Sequence, residues 1–288
     1  MFNHEIIKTI ISMLEKWRID NMSKFSQYMK HKYKNTSKKS FSVYLVLRLL
    51  VIISLAIQLV LGSWWNAFLC VVALVLFTLP TLISEKFNIG LPNLLETVIY
   101  CFIFSATILG EINNFYGKIP FWDTMLHTIN GFLCAGIGFS LIDLLNRNSK
   151  RLHLSPIYVA LVAFCFSMTV GVLWEFYEFS ADVYFHTDMQ KDKIVSNISS
   201  VELNEKKENI PIQIDNIEKT EIYTADGKIY TIHSGYLDIG IHDTMKDLFV
   251  NLIGAIIFSI TGFLYIINRD KYKFAENFIP VKNKTRTK

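Results

Sequence analysis

Six stretches of roughly 20 mostly apolar residues punctuate the chain, at about 42–61, 64–83, 92–110, 121–145, 156–179 and 246–267. A helix rising about 1.5 Å per residue needs about 20 residues to cross a hydrocarbon layer about 30 Å thick. The apolar runs are continuous rather than alternating, which predicts helices and argues against a β-barrel. Over 288 residues, 51% are hydrophobic and only 19% charged, below the roughly 25% charge of soluble domains. Mean hydropathy is +0.32. These values exclude a soluble globular domain, a disordered chain and a disulfide-stapled module. The sequence therefore predicts an all-α polytopic membrane protein with six transmembrane helices, an N-terminal interfacial helix and a small β-rich outer loop.

Lysine and arginine predict its orientation. Twenty fall in the segments on the side of the two termini, including nine before the first span and seven in the tail. Seven fall on the other side, six of them in one long loop. Both termini are expected in the cytoplasm of a bacterium, with the chain multi-pass in its cytoplasmic (inner) membrane. Trp64, Trp65, Trp122 and Trp174 lie near the expected outer interface, where amphipathic rings prefer to sit. The expected organisation is a cytoplasmic basic amphipathic segment (1–41), helices one to five (42–180), an extracytoplasmic acidic loop (181–245), helix six (246–267) and a cytoplasmic basic tail (268–288). In the first segment Ile6, Ile10, Leu14 and Trp17 recur at helical spacing among basic residues, which suits a lipid-surface anchor. The first long apolar run starts too far in for a cleaved signal peptide. Cys70, Cys101, Cys134 and Cys165 each sit in a different span, so no disulfide is expected.

The loop carries twelve acids against six lysines, a net −6. Residues 221–232 alternate β-branched and aromatic residues around Asp226-Gly227, which predicts a β-hairpin. Residues 201–208 are too charged to predict a packed element.

Ionisable residues within a bilayer are costly and each needs a reason. Arg48, Glu96 and Asp143 lie towards the cytoplasmic ends of their spans, where snorkelling or pairing suffices. The others align. Asp123 and His127 stand at i,i+4 in span four; Glu175, Glu178 and Asp182 at i, i+3, i+7 in span five; Asp243, Asp247 and Asn251 at i, i+4, i+8 entering span six. At about 100° per residue each set keeps to one face, within roughly 80°. Glu111 closes span three on the same side. Turning these faces inward around a shared polar cavity keeps carboxylates out of lipid. Six carboxylates there need protonation, a cationic substrate group or a divalent metal ion. The expected catalytic set is Asp123, His127, Glu175, Glu178, Asp243 and Asp247, with Glu111, Asp182 and Asn251 binding. Asp123, His127, Glu175 and Asp247 are the candidate metal ligands; with His127 the set suits zinc or manganese, and carboxylates alone would suit magnesium or calcium. The structural alternative has these groups bond one another, Thr124, Asn130 and Asn251 as glue between helices. Lys246 stands at the start of the last span. Gly131 and Gly254, next to the polar faces, predict that spans four and six touch.

Three motifs carry a resemblance: Trp122-Asp123-Thr124-Met125-Leu126-His127 with Gly131, then Trp174-Glu175-Phe176-Tyr177-Glu178, then Asp243-Thr244-Met245-Lys246-Asp247 with Asn251 and Gly254-Ala255. Together they resemble the YjdF-type family of bacterial membrane-spanning proteins and, more distantly, the VanZ-like family. In the latter an Asp-x-x-x-His-type motif, an acidic motif and an Asp…Asn-x-x-Gly motif follow in order, and one member type is linked to reduced teicoplanin susceptibility. The resemblance covers about 111–262, less the loop. It implies an integral membrane protein with an outer-face polar site and supplies no reaction. The long stretch between Asp182 and Asp243 is a departure that bears on access to the site.

Three functions compete: metal-assisted chemistry on a lipid or lipid-linked envelope precursor at the outer leaflet, ion- or proton-coupled transport, and binding or scaffolding of an envelope ligand. The expected partners are membrane lipid and such a substrate. Nucleic acid is not expected, because the basic tails serve topology and carry no stacking aromatics.

Overall fold

A computed structural model describes residues 37–148 and 153–282. The expected interfacial helix lies outside the described residues. Six helical stretches are long and apolar enough to cross a membrane: Lys38–Val60, Trp64–Phe87, Asn93–Ile112, Trp122–Arg147, Pro156–Phe185 and Ile241–Ile267. Each predicted span is present. The last two reach beyond their apolar runs, because polar residues continue the helices into the loop. The chain is a polytopic helical membrane protein whose described residues form two compact units, one of those up to Pro120 together with those from Asp270 on, the other of those between Phe121 and Arg269.

In the first unit, α1 (Lys38–Val60) starts at Ser37, whose hydroxyl accepts the Ser40 N–H, the N-cap arrangement that satisfies an otherwise orphaned donor. Two helices, α2 (Trp64–Leu76) and α3 (Leu79–Phe87), form the second span, interrupted just before Pro80. The third span runs α4 (Asn93–Phe104) into a wider, π-helical stretch, Ser105–Ile112. A one-turn helix, α5 (Phe115–Lys118), follows. Tyr44, Val51, Cys70, Ala73, Phe77, Tyr100 and Ile108 form the core. Arg48 donates to the Tyr44 hydroxyl (2.6 Å), the Tyr100 hydroxyl donates to Glu96 (2.7 Å), and the two tyrosine rings lie 5.0 Å apart. Arg48 and Glu96 are thus each held by a tyrosine. The two-residue strand β1 (Ile89–Gly90) pairs with β8 (Val281–Lys282), near the end of the chain.

The second unit is three long helices and the loop. They are α6 (Trp122–Asn148), α7 (Pro156–Phe185) and α8 (Ile241–Ile267). Ser155 caps α7, with Pro156 in its first turn, a position that needs no N–H. At 27 to 30 residues these helices run about 40–45 Å, longer than the apolar layer, so polar end turns need not meet acyl chains. The helices approach closely at glycine. A Cβ on Gly131 would strike the Asn251 carbonyl, and one on Gly254 would strike the Thr128 carbonyl. These contacts bring spans four and six together as expected. Ser167 of α7 donates to the Gly131 carbonyl at 2.7 Å. Gly171 leaves α7 unbroken; the Asn251 amide fills the place of its side chain. At the end away from the loop, Asp143 is buried between Arg147 and Arg269, which stack over Tyr265.

The loop holds three antiparallel strand pairs. β2 (Lys193–Val195) and β7 (Tyr236–Asp238) close its base. β3 (Ile198–Ser200) pairs with β4 (Ile212–Ile214), and β5 (Lys219–Tyr223) with β6 (Ile229–His233) in the predicted hairpin. Asp226 and Gly227 do not form a two-residue turn. Thr224 and Lys228 close a three-residue loop, with Gly227 left-handed at φ +82°, a type I turn followed by a bulge. A short 3-10 turn, Val201–Leu203, stands where no packed element was expected.

Candidate functional site

The polar faces of α6, α7 and α8 meet at the loop-bearing end of the second unit. Their registers follow from helical spacing: one turn separates Asp123 from His127, and Asp243 from Asp247. Asp247 and Asn251 are each 1% exposed, which their helix-to-helix contacts explain. At the centre is His127. Its Nε2 lies 3.4 Å from Asp123 Oδ1 and 3.9 Å from Asp247 Oδ2; its Nδ1 lies 4.0 Å from Glu175 Oε1. One donor atom each from Asp123, His127 and Asp247 fall within 4.8 Å of one another.

The counter-charge to these acids is Lys246, which helical spacing alone does not place on their face. Its ammonium is 3.0 Å from Asp123 Oδ2, 3.0 Å from Asp243 Oδ1 and 3.3 Å from Asp247 Oδ1. The aspartates therefore divide their oxygens: Asp123 and Asp247 each turn one towards Lys246 and the other towards His127. Lys246 stands one residue from Asp247, about 100° off the acid face, and returns to it on a flexible four-carbon stem. Its charge alone, between two acids three and one residues away, was the available signal.

The remaining predicted residues take other places. Glu178 is buried and accepts a hydrogen bond from Trp174 Nε1 at 2.9 Å. Asp182 binds the start of the loop, accepting from the Thr187 hydroxyl and the Met189 and Gln190 N–H groups at 2.7–2.8 Å. Asp243 adds the Lys191 N–H at 2.9 Å to its lysine contact. Gln190 reaches Thr244, and the Asp238 carboxylate accepts the His242 N–H in the first turn of α8. Both loop ends are thus fixed to the helices that carry the cluster. Asn251 lies one turn deeper, where the Asn130 amide donates to its Oδ1 and its own amide faces Met168; these contacts match the structural alternative. Glu111 is exposed on the π-helical stretch of the first unit.

Two buried carboxylate oxygens of the cluster, Glu175 Oε2 and Asp247 Oδ1, have no hydrogen-bond partner among the described residues. Asp247 Oδ1 meets Lys246 only as an ion pair. Glu175 Oε2 has no such counter-charge recorded; uncompensated buried carboxylate oxygens are expensive, so this end of the bundle keeps unused binding capacity beside Glu175. A flexible ammonium, an imidazole and a carboxylate with one oxygen lacking a hydrogen bond can together orient a polar ligand, move a proton or complete the shell of a cation.

Residues 41–268 match the family described as "Predicted membrane protein (DUF2238)". The chain belongs to that family. The matched region takes in the last five spans whole, the first from residue 41 on, and every residue of the cluster. The YjdF-type resemblance fits this membership at the level of a membrane-spanning family. A protein of Thermotoga maritima, described as "Uncharacterized protein", is 33% identical over 92 residues. That match covers 32% of this chain and spans 46% of the relative's length. No solved structure matches the chain.

Proposed function

We propose that this DUF2238 member is an inner-membrane enzyme of the bacterial envelope. Its three-helix unit carries out hydrolysis or transfer at a phosphoryl or carbonyl linkage of a lipid or lipid-linked precursor. The observation that carries this reading is Glu175. It is a carboxylate 5% exposed, beside His127, with one oxygen unpartnered, at the end of the spans where headgroups meet water. The balance of lysine and arginine supports both termini in the cytoplasm and the loop outside, so the substrate is reached from the outer leaflet. The motif order, in its resemblance to the VanZ-like family, supports an envelope role.

In the hydrolytic form, a water oxygen attacks the phosphorus or carbonyl carbon while Glu175 takes its proton. The bond to the leaving oxygen breaks, and that oxygen receives the proton. A positively charged group must face the oxygen on which negative charge develops. Lys246 is the cation at hand, although three aspartates already engage it.

Lipid extracts of a strain lacking the gene, complemented with wild type or Glu175→Gln, test the reading by mass spectrometry. The same lipid or lipid-linked species accumulates in the deletion and in the Glu175→Gln strain, and disappears with wild type. Identical lipid profiles, with a proton or cation flux in proteoliposomes that Glu175→Gln abolishes, would replace the enzyme with a transporter. The confinement of the cluster to one end of the helices favours the enzyme, since carriers place coupling sites near the midplane.

A further inference from the structure

We propose that Asp123 Oδ1, His127 Nε2 and Asp247 Oδ2 hold a divalent cation of the manganese or zinc class, with Lys246 retained behind it on the opposite aspartate oxygens. The proposal deepens the enzyme reading by naming its electrophile; the site itself is argued from geometry alone.

Spacing comes first. Donors bonded to one ion at about 2.1 Å are at most about 4.2 Å apart. The 3.4 Å and 3.9 Å separations around His127 Nε2 already satisfy this. Taken residue by residue, one donor atom each of Asp123, His127 and Asp247 lie within 4.8 Å of one another, so a shared ion asks for a closure of at most about 0.6 Å on that criterion. One imidazole and two carboxylates match the mixed nitrogen–oxygen preference of manganese and zinc better than the all-oxygen shells of calcium or magnesium.

Charge comes second. Asp123, Asp243 and Asp247 face one ammonium, Lys246, so these four groups carry a formal −2 when all three acids are ionised, and Glu175 adds to the negative side, an excess that a cation offsets. The division of oxygens matters here. Lys246 sits at Asp123 Oδ2 and Asp247 Oδ1, so an ion on the oxygens turned to His127 does not displace the lysine.

The independent observation is Glu175, nine-tenths buried, with Oε2 unpartnered and Oε1 4.0 Å from His127 Nδ1. Ligating histidines give their second nitrogen's proton to a carboxylate or carbonyl, which fixes the tautomer that leaves the other nitrogen free to bind. A closure of about 1 Å would complete that hydrogen bond. Glu175 then orients His127 and can still act as base through its other oxygen. Three protein ligands leave open positions for a substrate oxygen and water.

The test uses the full chain, purified in detergent, stripped with chelator and titrated with Mn²⁺ while electron paramagnetic resonance reads the free ion. One site is expected, displaced by Zn²⁺, with Mn²⁺ raising the melting temperature. Asp247→Asn and His127→Ala weaken binding at least 10-fold, and Glu175→Gln weakens it about 10–100-fold as an outer-shell change. Lys246→Met retains binding or tightens it, which also shows that a folded cluster survives. Glu221→Gln, in the hairpin, leaves the site unchanged. Mn²⁺ binding that is absent, or indifferent to Asp123, His127 and Asp247, overturns the proposal. If Mn²⁺ fails to bind while Glu175→Gln still accumulates the lipid species, only the cation is lost; if it binds and lipid profiles are unchanged, only the enzyme reading fails.

Discussion

Lys246 Nζ lies 3.0 Å from Asp123 Oδ2, a bond between the last membrane span and the fourth across 123 residues of sequence. It makes the acidic faces of α6 and α8 mutually attractive where their carboxylates alone would repel. The same ammonium holds Asp243 and Asp247, so one side chain sets the electrostatics of the loop-bearing end.

Removing that charge while keeping bulk, as in Lys246→Met, should destabilise the detergent-purified protein. Breaking a fully buried pair costs about 3–5 kcal/mol. Lys246 is 32% exposed, so about 1–3 kcal/mol is expected after allowance for screening. The double variant Lys246→Met/Asp123→Asn should lose less than the sum of the single changes in a thermal melt. Strict additivity would mean the two do not interact.

Gly131 and Gly254 should reject any side chain. Gly131→Ala or Gly254→Ala drives a methyl into backbone carbonyl rather than a yielding side chain, at a cost of about 1–3 kcal/mol. Gly171→Ala meets the Asn251 side-chain amide, which can rotate, and should cost less. Thermal melts of the three variants give the ranking.

Asp182→Ala removes the acceptor of three loop donors. Hydrogen exchange at Met189 and Gln190 should accelerate about 10-fold, on the order of 1–2 kcal/mol of local protection, while the global melt barely moves. A large fall in global stability would instead give Asp182 a role within the bundle.

The β5–β6 hairpin should loosen in acid. The hydrogen bond from Lys219 holds the Glu221 carboxyl below its ordinary value, and that from Lys228 does the same for Asp226. A depressed carboxylate contributes stability above its unfolded pKa, and that stability is lost as pH falls through the folded value. Amide protection in 219–233 should therefore decline below about pH 4. High salt should shrink the effect, because both pairs are exposed.

The spans were legible because apolar length is a direct consequence of bilayer thickness. The alignment of Asp123 with His127, and of Asp243 with Asp247, was legible because helical spacing fixes which side chains share a face. Lys246 escaped that logic: a long stem carries its charge to a face its Cα does not occupy. Glu178 and Asp182 share the Glu175 face, yet one is turned to Trp174 and the other to the loop, since periodicity gives direction and not partner. The π-helical stretch Ser105–Ile112 contains no proline and nothing in its periodicity marks the widening. The hairpin was read from its strands and Asp-Gly signal; its extra residue was not, because Gly227 can serve either turn.

Convergence of α6 and α8 at the loop-bearing end is most directly measured by cysteine cross-linking in native membranes. In a background with Cys70, Cys101, Cys134 and Cys165 replaced, a protease site introduced near residue 206 separates the two helices on cleavage. The account predicts that Asp123→Cys and Asp247→Cys, joined by a short thiol reagent, hold the two fragments together, whereas Asp123→Cys with Arg269→Cys does not. Fragments that separate in the first pair as readily as in the second would contradict it.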